Sequence, residues 1–360
     1  MKICVYTIAK NEMKFINRWY NSVKEADYIC VLDTGSTDGS FETFQSLNII
    51  TKQKKYKNFR FDIARNDSLK LIPKDADICV CIDLDEFFNP GWSNTLKQNW
   101  QKDTTRARYR YTWNFNPDGS EGVVFMADKI HKNRLFKWIN PVHEILQPIN
   151  NSAQNIINLP QIQLNHKADN SKPRSSYLPL LKLSVKENPN NDRNVHYLAR
   201  EYMFYGKYKK AIEMFKKHLS LPSATWIDER CASYRYLAKC HKHLNNKVEQ
   251  EKNLFLAILE NNNLREPYYE LATMYYENKN YLKAAFIFEE MLKIKNRNLT
   301  YITLPDCWNE KPYDYLSICY YELGEIKKAI SNAEIALKYK TDERIANNLI
   351  VFKSLLKNKI

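Results

Sequence analysis

Residues 76–88 read ADICVCIDLDEFF. An unbroken apolar run, Ile78 to Ile82, ends in Asp83, Leu84, Asp85 and Glu86. Continuous apolar runs of this length are typical of strands buried on both faces, and such a strand has no structural use for three carboxylates at its tip. Alternate residues of a strand share a face, so Asp83 and Asp85 project to one side. Two hard anionic oxygens suit Mg²⁺ or Mn²⁺. A cation held by only one or two protein carboxylates keeps coordination positions for substrate phosphates. The stretch therefore predicts chemistry on a diphosphate leaving group.

Working outward, three further runs have the same texture: KICVYTIA (2–9), YICVLDTG (28–35) and ARYRYTWNF (107–115). Helix-compatible segments at about 14–20 and 38–50 separate the first three strands. Strands that alternate with helices predict a three-layer α/β domain with a largely parallel sheet. Ligands of such sheets bind outside the carboxyl ends of the strands. The notable residues fall there: Thr7, Asn11 and Glu12 after the first run, Asp33 after the second, Asp83 and Asp85 after the third.

Past about residue 172 the hydrophobic period becomes helical, and one phrase recurs: LAREYMFYGKYKKAIEMFKKHL (198–219), LATMYYENKNYLKAAFIFEEML (271–292) and LSICYYELGEIKKAISNAEIAL (316–337). Each copy has Gly206, Asn280 or Gly324 at a turn, then a small-residue pair on a second helix, Ala211-Ile212, Ala284-Ala285 or Ala329-Ile330. A permissive turn residue and close-packing alanines form the tetratricopeptide signature. A weaker unit at about 231–259, with Asn245-Asn246 at its turn, fills the gap. The connector NRNLTYITLPDCWNEKP (296–312), rich in aromatics and proline, is expected to pack rather than to contact ligand. These patterns place a domain boundary at 172/173, with 1–172 and 173–360 as the two domains.

A chain of 360 residues, 44% hydrophobic, has material for two cores. Its net charge of +14 is dispersed: residues 173–360 carry 31 basic and 22 acidic side chains, and no arm or finger spacing concentrates the excess. Nucleic acid is thus not an expected partner, and at most a peripheral attraction to anionic membrane surfaces is. The opening MKICVYTIAK has too short an apolar run for a signal peptide, and no segment approaches a membrane span. The expected location is the cytoplasm, at most at the inner face of the membrane. Eight cysteines, none in a CxxC pair, are expected to be small buried hydrophobes.

Five blocks, TIAKNE (7–12), VLDTGSTDGS (31–40), ARNDSL (64–69), CIDLDEFF (81–88) and RLFKWINPVHEIL (134–146), occur in an order that resembles family-2, nucleotide-sugar-dependent glycosyltransferases of the GT-A fold. The helical half resembles the tetratricopeptide extension of a bacterial branch of that family, most clearly over SYLPLLKLSVKENPNNDRNVHYLAREYMFYGKY. The resemblance implies an α/β GT-A (Rossmann-like) domain followed by an all-α repeat domain. It implies that Asp33 hydrogen-bonds the nucleotide base, with Thr7 and Glu12 completing the base and ribose pocket and Arg65 pairing with phosphate or base oxygens. It also implies Asp83 at the ribose and Asp85 on a divalent metal, Mn²⁺ or Mg²⁺. His143 is then a third metal contact, and Glu144 the general base that deprotonates the acceptor, with an exchange of these two roles left open because neighbours on an extended segment point apart. Lys129, His131 and Arg134 form a basic run suited to the diphosphate.

The expected function is inverting transfer of a single sugar, UDP-linked by default, from a nucleotide-diphosphate donor to a glycan, lipid-linked or protein acceptor in a surface-glycan pathway. The repeats shape the acceptor side, hold a protein partner or self-associate. Absence of the QxxRW motif and of membrane helices argues against processive synthesis. One alternative is a repeat scaffold with a degenerate transferase domain, which the intact DLD, DTGSTDG and VHE blocks oppose. A nucleotidyltransferase is the other, and it would require a glycine-rich loop after the first strand that the sequence lacks.

Overall fold

The computed structural model describes residues 1–150, 153–168 and 177–357. Two compact units divide between Pro189 and Asn190. The boundary expected near residue 172 lies outside the described residues.

The first unit runs β1 (Ile3–Ala9), α1 (Met13–Val23), β2 (Tyr28–Asp33), α2 (Ser40–Ser46), β3 (Ile50–Gln53), α3 (Phe61–Leu69), β4 (Ile78–Cys81), β5 (Glu86–Phe88), α4 (Trp92–Asn99), β6 (Arg106–Thr112), β7 (Val124–Lys132), β8 (Phe136–Ile139), β9 (Ile145–Pro148), β10 (Ile156–His166) and α5 (Tyr177–Glu187). Eight strands form one sheet in the order β3-β2-β1-β4-β7-β6-β10-β5, and β8 and β9 form an antiparallel ribbon. β3, β2, β1 and β4 are parallel. β7 then pairs antiparallel with both β4 and β6, and β5 antiparallel with β10. The expectation of a largely parallel sheet is thus corrected to a mixed one. β6 returns through the loop 113–123 as its own neighbour β7, and a loop connection without a crossover helix can only pair strands antiparallel.

Strand order reverses between β1 and β4, so the crevice outside their carboxyl ends is the topological switch point where open α/β sheets bind ligands. Apolar side chains cover both faces of these strands. Ile3, Val5, Val31, Ile78, Val80 and Ile82 are fully buried under Trp19 of α1 and Phe44 of α2, whose rings meet edge to face at 6.4 Å. Cys4, Tyr6, Cys79 and Cys81 face the other layer. All eight cysteines of the chain are free and buried, as expected of small hydrophobes.

The second unit is helical: α6 (Asp192–Phe204), α7 (Tyr208–Ser220), α8 (Ile227–His243), α9 (Lys247–Glu260), α10 (Arg265–Glu277), α11 (Tyr281–Lys293), α12 (Lys311–Glu322), α13 (Ile326–Tyr339) and α14 (Glu343–Lys357). The helices α6/α7, α8/α9, α10/α11 and α12/α13 pair through tight turns, at which Gly206, Asn245, Lys279 and Gly324 adopt positive φ. In the third turn the left-handed residue is Lys279, not Asn280; Asn280 caps α11 by accepting the Lys283 N–H at 3.3 Å. Ala211, Ala284, Ala285 and Ala329 are buried where the paired helices approach. The connector 296–312 packs through a short 3₁₀ turn at Pro305–Cys307, held by Arg265, which donates to the Ile294 and Cys307 carbonyls and lies over Trp308 at 4.0 Å. No helix among the described residues is long and apolar enough to cross a membrane.

Candidate active site

β2 delivers Asp33 to the switch-point end of the sheet, where it is fully buried. Its Oδ1 accepts three hydrogen bonds, from the N–H groups of Gly35 and Ser36 at 2.9 Å and from Gln53 Nε2 at 3.0 Å. Its Oδ2 is buried and has no partner. Buried carboxylate oxygens are rarely left unmatched, and this one has room for a further donor. Thr7 is buried near the end of β1, its hydroxyl donating to the Ile8 carbonyl at 3.2 Å. Glu12 sits at the start of α1 and is tied to α2 through its own N–H, which donates to Ser40 Oγ at 2.9 Å.

Beside them, β4 runs into a compact charge cluster. Arg65 of α3 is 3% exposed; its Nη2 donates to Asp83 Oδ1 and its Nε to Glu144 Oε1, both at 2.6 Å. Lys129 of β7 donates to the other Asp83 oxygen at 3.2 Å and lies 3.8 Å from Glu86. Burial opposes ionisation of Asp83, yet Arg65 and Lys129 together hold its carboxyl well below the usual range. Glu86, 2% exposed, is pushed up by burial; it accepts from the Asp83 N–H at 2.8 Å and the Tyr111 hydroxyl at 2.7 Å. Glu86 therefore shapes the turn that presents Asp83.

Asp85 has a different partner. Its Oδ2 lies 3.3 Å from His166 Nε2, at the end of β10, where antiparallel pairing sets His166 opposite Glu86. The Trp113 carbonyl, 2.8 Å from His166 Nδ1, can only accept, so Nδ1 carries the proton and Nε2 faces Asp85. Burial lowers the basicity of His166, but Asp85 overrides it and raises its pKa. Arg18 of α1 donates to the Asp85 carbonyl at 3.1 Å. A carboxylate oxygen and an imidazole nitrogen 3.3 Å apart, with the far ring nitrogen fixed by a carbonyl, is a donor set that fits a divalent transition ion such as Mn²⁺ better than Mg²⁺, which prefers oxygen ligands. Both Asp83 oxygens are already taken, so Asp85 and His166 are the residues suited to hold such an ion.

The structure thus gathers Asp33, Arg65, Asp83, Asp85, Glu144 and Lys129 at the carboxyl end of the sheet. His143 lies in the turn before β9 with φ of 51°, its ring 5.6 Å from that of Tyr177. Arg134 is not brought to the site: it is an exposed residue in the β7–β8 turn, where Asn133 bonds the Asp77 carbonyl at the amino end of β4. His131 is a core residue, bonded to the Tyr6 hydroxyl at 2.8 Å, and burial lowers its pKa to about 4. The residue that sequence reasoning missed is His166. The local signal was a histidine ending the alternating apolar and polar stretch IINLPQIQLNH, and its meaning depends on a contact 81 residues away, with Asp85.

Carboxylates set beside the β1/β4 switch point of a mixed sheet, Asp33 at the end of β2 and Asp83 and Asp85 after β4, belong to an α/β domain of the GT-A type. Residues 4–145 match the family model of glycosyl transferase family 2, and the N-terminal part of the chain is a domain of that family. A comparison with curated proteins finds no match. Solved structures similar to the helical part include MamA, at 23% identity and TM-score 0.38, covering 46% of this chain and 87% of that one. A TPR repeat-containing protein of Cytophaga hutchinsonii follows at 17% and 0.39, covering 46% and 59%. A thermophilic TPR protein of Thermus thermophilus stands at 18% and 0.33, covering 51% and 90%. The tetratricopeptide-like architecture itself rests on the helix pairs described above.

Proposed function

We propose that this chain transfers one sugar from a nucleotide-diphosphate donor, UDP-linked by default, to a glycan, lipid-linked or protein acceptor of a surface-glycan pathway, with inversion and with a divalent cation. The observation that carries this reading is the Asp85–His166 pair, 3.3 Å apart after β4, together with the buried, unpartnered Asp33 oxygen at the end of β2. In this reading Asp33 takes the base, and Thr7 and Glu12 flank the nucleoside. Asp85 and His166 hold the cation, which when bound supplies positive charge to the leaving diphosphate. Arg65 is too deeply paired to reach the donor; it fixes Asp83 and Glu144 in place. Glu144 remains the candidate base through Oε2, since Oε1 is engaged by Arg65. The dispersed surplus of positive charge supports an anionic donor and at most peripheral membrane contact. The helical repeats are assigned to acceptor or partner binding, as stacked repeats present extended surfaces.

The test is thermal shift and calorimetry with UDP, GDP and their sugars, with and without Mn²⁺. A nucleotide that binds only the folded chain raises its melting temperature. Nucleotide binding that strengthens with Mn²⁺ and loses that increment in Asp85→Asn and His166→Ala supports the reading. Metal-independent binding in the native chain and both variants removes the cation from it, and no binding of any nucleoside diphosphate supports the degenerate-domain alternative.

A further inference from the structure

Outside the transferase site, the core of the helical unit contains a second polar cluster. His196 of α6, His218 of α7 and Glu229 of α8 are each at most 3% exposed. One ligating atom from each lies within 4.8 Å of the other two, the one such three-residue group of histidine, cysteine and acidic side chains among the described residues. Ser233, one turn after Glu229 on α8 and fully buried, has its hydroxyl 2.8 Å from His196 Nδ1 and 2.9 Å from His218 Nδ1. Tyr301, from the packed connector, reaches His196 Nε2 with its hydroxyl at 2.9 Å.

These groups could be read as a relay running Tyr301, His196, Ser233, His218, Glu229. Every link is short except the last. His218 Nε2 is 3.4 Å from Glu229 Oε1, makes no hydrogen bond, and is fully buried. A buried imidazole nitrogen in this position forgoes a partner, which costs free energy in a dry interior. The separation has another meaning: ligands about 2.0–2.1 Å from a tetrahedral ion stand roughly 3.3 Å apart along an edge. The hydroxyl of Ser233 on both Nδ1 atoms matches the second layer of a metal site, where each ligating histidine donates its other N–H and so fixes its tautomer.

We propose that His196, His218 and Glu229 form a structural site for a divalent transition ion of the zinc class. Two imidazoles and one carboxylate are a donor set that zinc accepts, with a fourth position left for an oxygen; the Tyr301 hydroxyl is the nearest candidate. The ion joins the first helix pair to the second, because its ligands come from α6, α7 and α8. Bringing the three ligating atoms, which lie within 4.8 Å of one another, onto one ion requires the His196 ring to shift from its present hydrogen bonds to Ser233 and Tyr301. Arg200, close enough to Glu229 to interact with its charge, adds positive charge to the region and weakens the affinity relative to an isolated set of the same ligands.

The experiment uses the full chain carrying Asp85→Asn, so that the cation expected in the transferase site does not contribute. The chelator-stripped protein is titrated with Zn²⁺ and with Co²⁺, following bound metal, melting temperature and the visible bands of four-coordinate Co²⁺. The expected result is one equivalent of metal with a raised melting temperature. Binding is abolished by His218→Ala and weakened at least tenfold by Glu229→Gln. Ser233→Ala weakens binding about 10–100-fold, the range for losing an outer partner of a ligating histidine. Should His218→Ala fail to fold, Glu229→Gln, which preserves shape, decides. Absence of bound Zn²⁺ and Co²⁺ with an unchanged melting temperature leaves a hydrogen-bond network only and overturns the site, as does stoichiometric binding that both Glu229→Gln and Ser233→Ala leave intact.

Discussion

At the scale of single residues, the transferase site is organised by what each carboxylate already holds. Asp33 spends one oxygen on the chain and keeps the other buried and unmatched. Asp33→Asn keeps the volume but puts an amide N–H where an acceptor stood or removes the charge behind it. A hydrogen bond to a charged group contributes about 1.5–3 kcal/mol. Nucleotide affinity should therefore fall about 10–100-fold with the melting temperature nearly unchanged, as read by calorimetry. Glu144 is the harder case, because Arg65 engages it. Glu144→Gln should lower turnover by about 10²–10⁴-fold if Oε2 takes the acceptor proton, with donor affinity and melting temperature retained. A parallel fall in donor affinity and melting temperature would make Glu144 the anchor of Arg65 alone. His131 shows the opposite fate of a titratable group. It is neutral in the core because burial lowers its pKa to about 4, against about 6.5 in the unfolded chain. Between those values the unfolded state binds one proton more, so stability is full above pH 6.5 and is lost as pH falls toward 4. The loss is on the order of 3 kcal/mol. Denaturant midpoints from pH 7.5 to 4.5 should show this slope in the native chain and not in His131→Gln.

At the scale of elements, each helix pair of the second unit turns on a residue in the left-handed region. Gly206 has φ of 68° and Gly324 of 77°, and a Cβ built on either meets nothing within 4 Å. Any cost of substitution is then conformational, not steric crowding by neighbours. Gly206→Ala and Gly324→Ala should each destabilise by about 1–2 kcal/mol, lowering the melting temperature of the unit by a few degrees. Calorimetry on the two variants checks this; no change would mean the turn relaxes to another conformation. Asn245 and Lys279 show that glycine is not obligatory there. Their turns tolerate the strain because Asn246 and Asn280 cap the helices that follow.

For the whole molecule, the division between Pro189 and Asn190 assigns α5 to the transferase unit. Its contacts there are specific: Glu187 pairs with Arg60 at 2.6 Å, and the Tyr177 ring lies 6.3 Å from Phe61 and 5.6 Å from His143. A chain cut after Pro189 should therefore fold and bind nucleotide, and melt higher than one cut after residue 172. If the repeats present the acceptor, the 1–189 fragment should hydrolyse donor in water but fail to glycosylate the true acceptor. Full transfer by that fragment would confine the repeats to another role.

Residue pattern alone was enough for the two-part architecture and for the carboxylates that stand at the strand ends. Parallel strands buried on both faces leave continuous apolar runs, and carboxylates at their carboxyl ends stand out against such runs: Asp33, Asp83 and Asp85 were legible for that reason. Helix pairs repeat a local pattern of turn residue and small residue, so Gly206, Ala211, Gly324 and Ala329 were legible too. The pairings made across long stretches of chain were not legible in the residues themselves. His166 meets Asp85 because β10 pairs with β5, and Arg134 is carried to the far end of the sheet because β7 runs antiparallel to β4. The three ligating side chains of the helical core likewise belong to three different helices. Local periodicity encodes which face of an element is apolar, but the partner of an isolated polar side chain is set by strand order and helix stacking, which arise from the burial of the whole core rather than from the residues beside it.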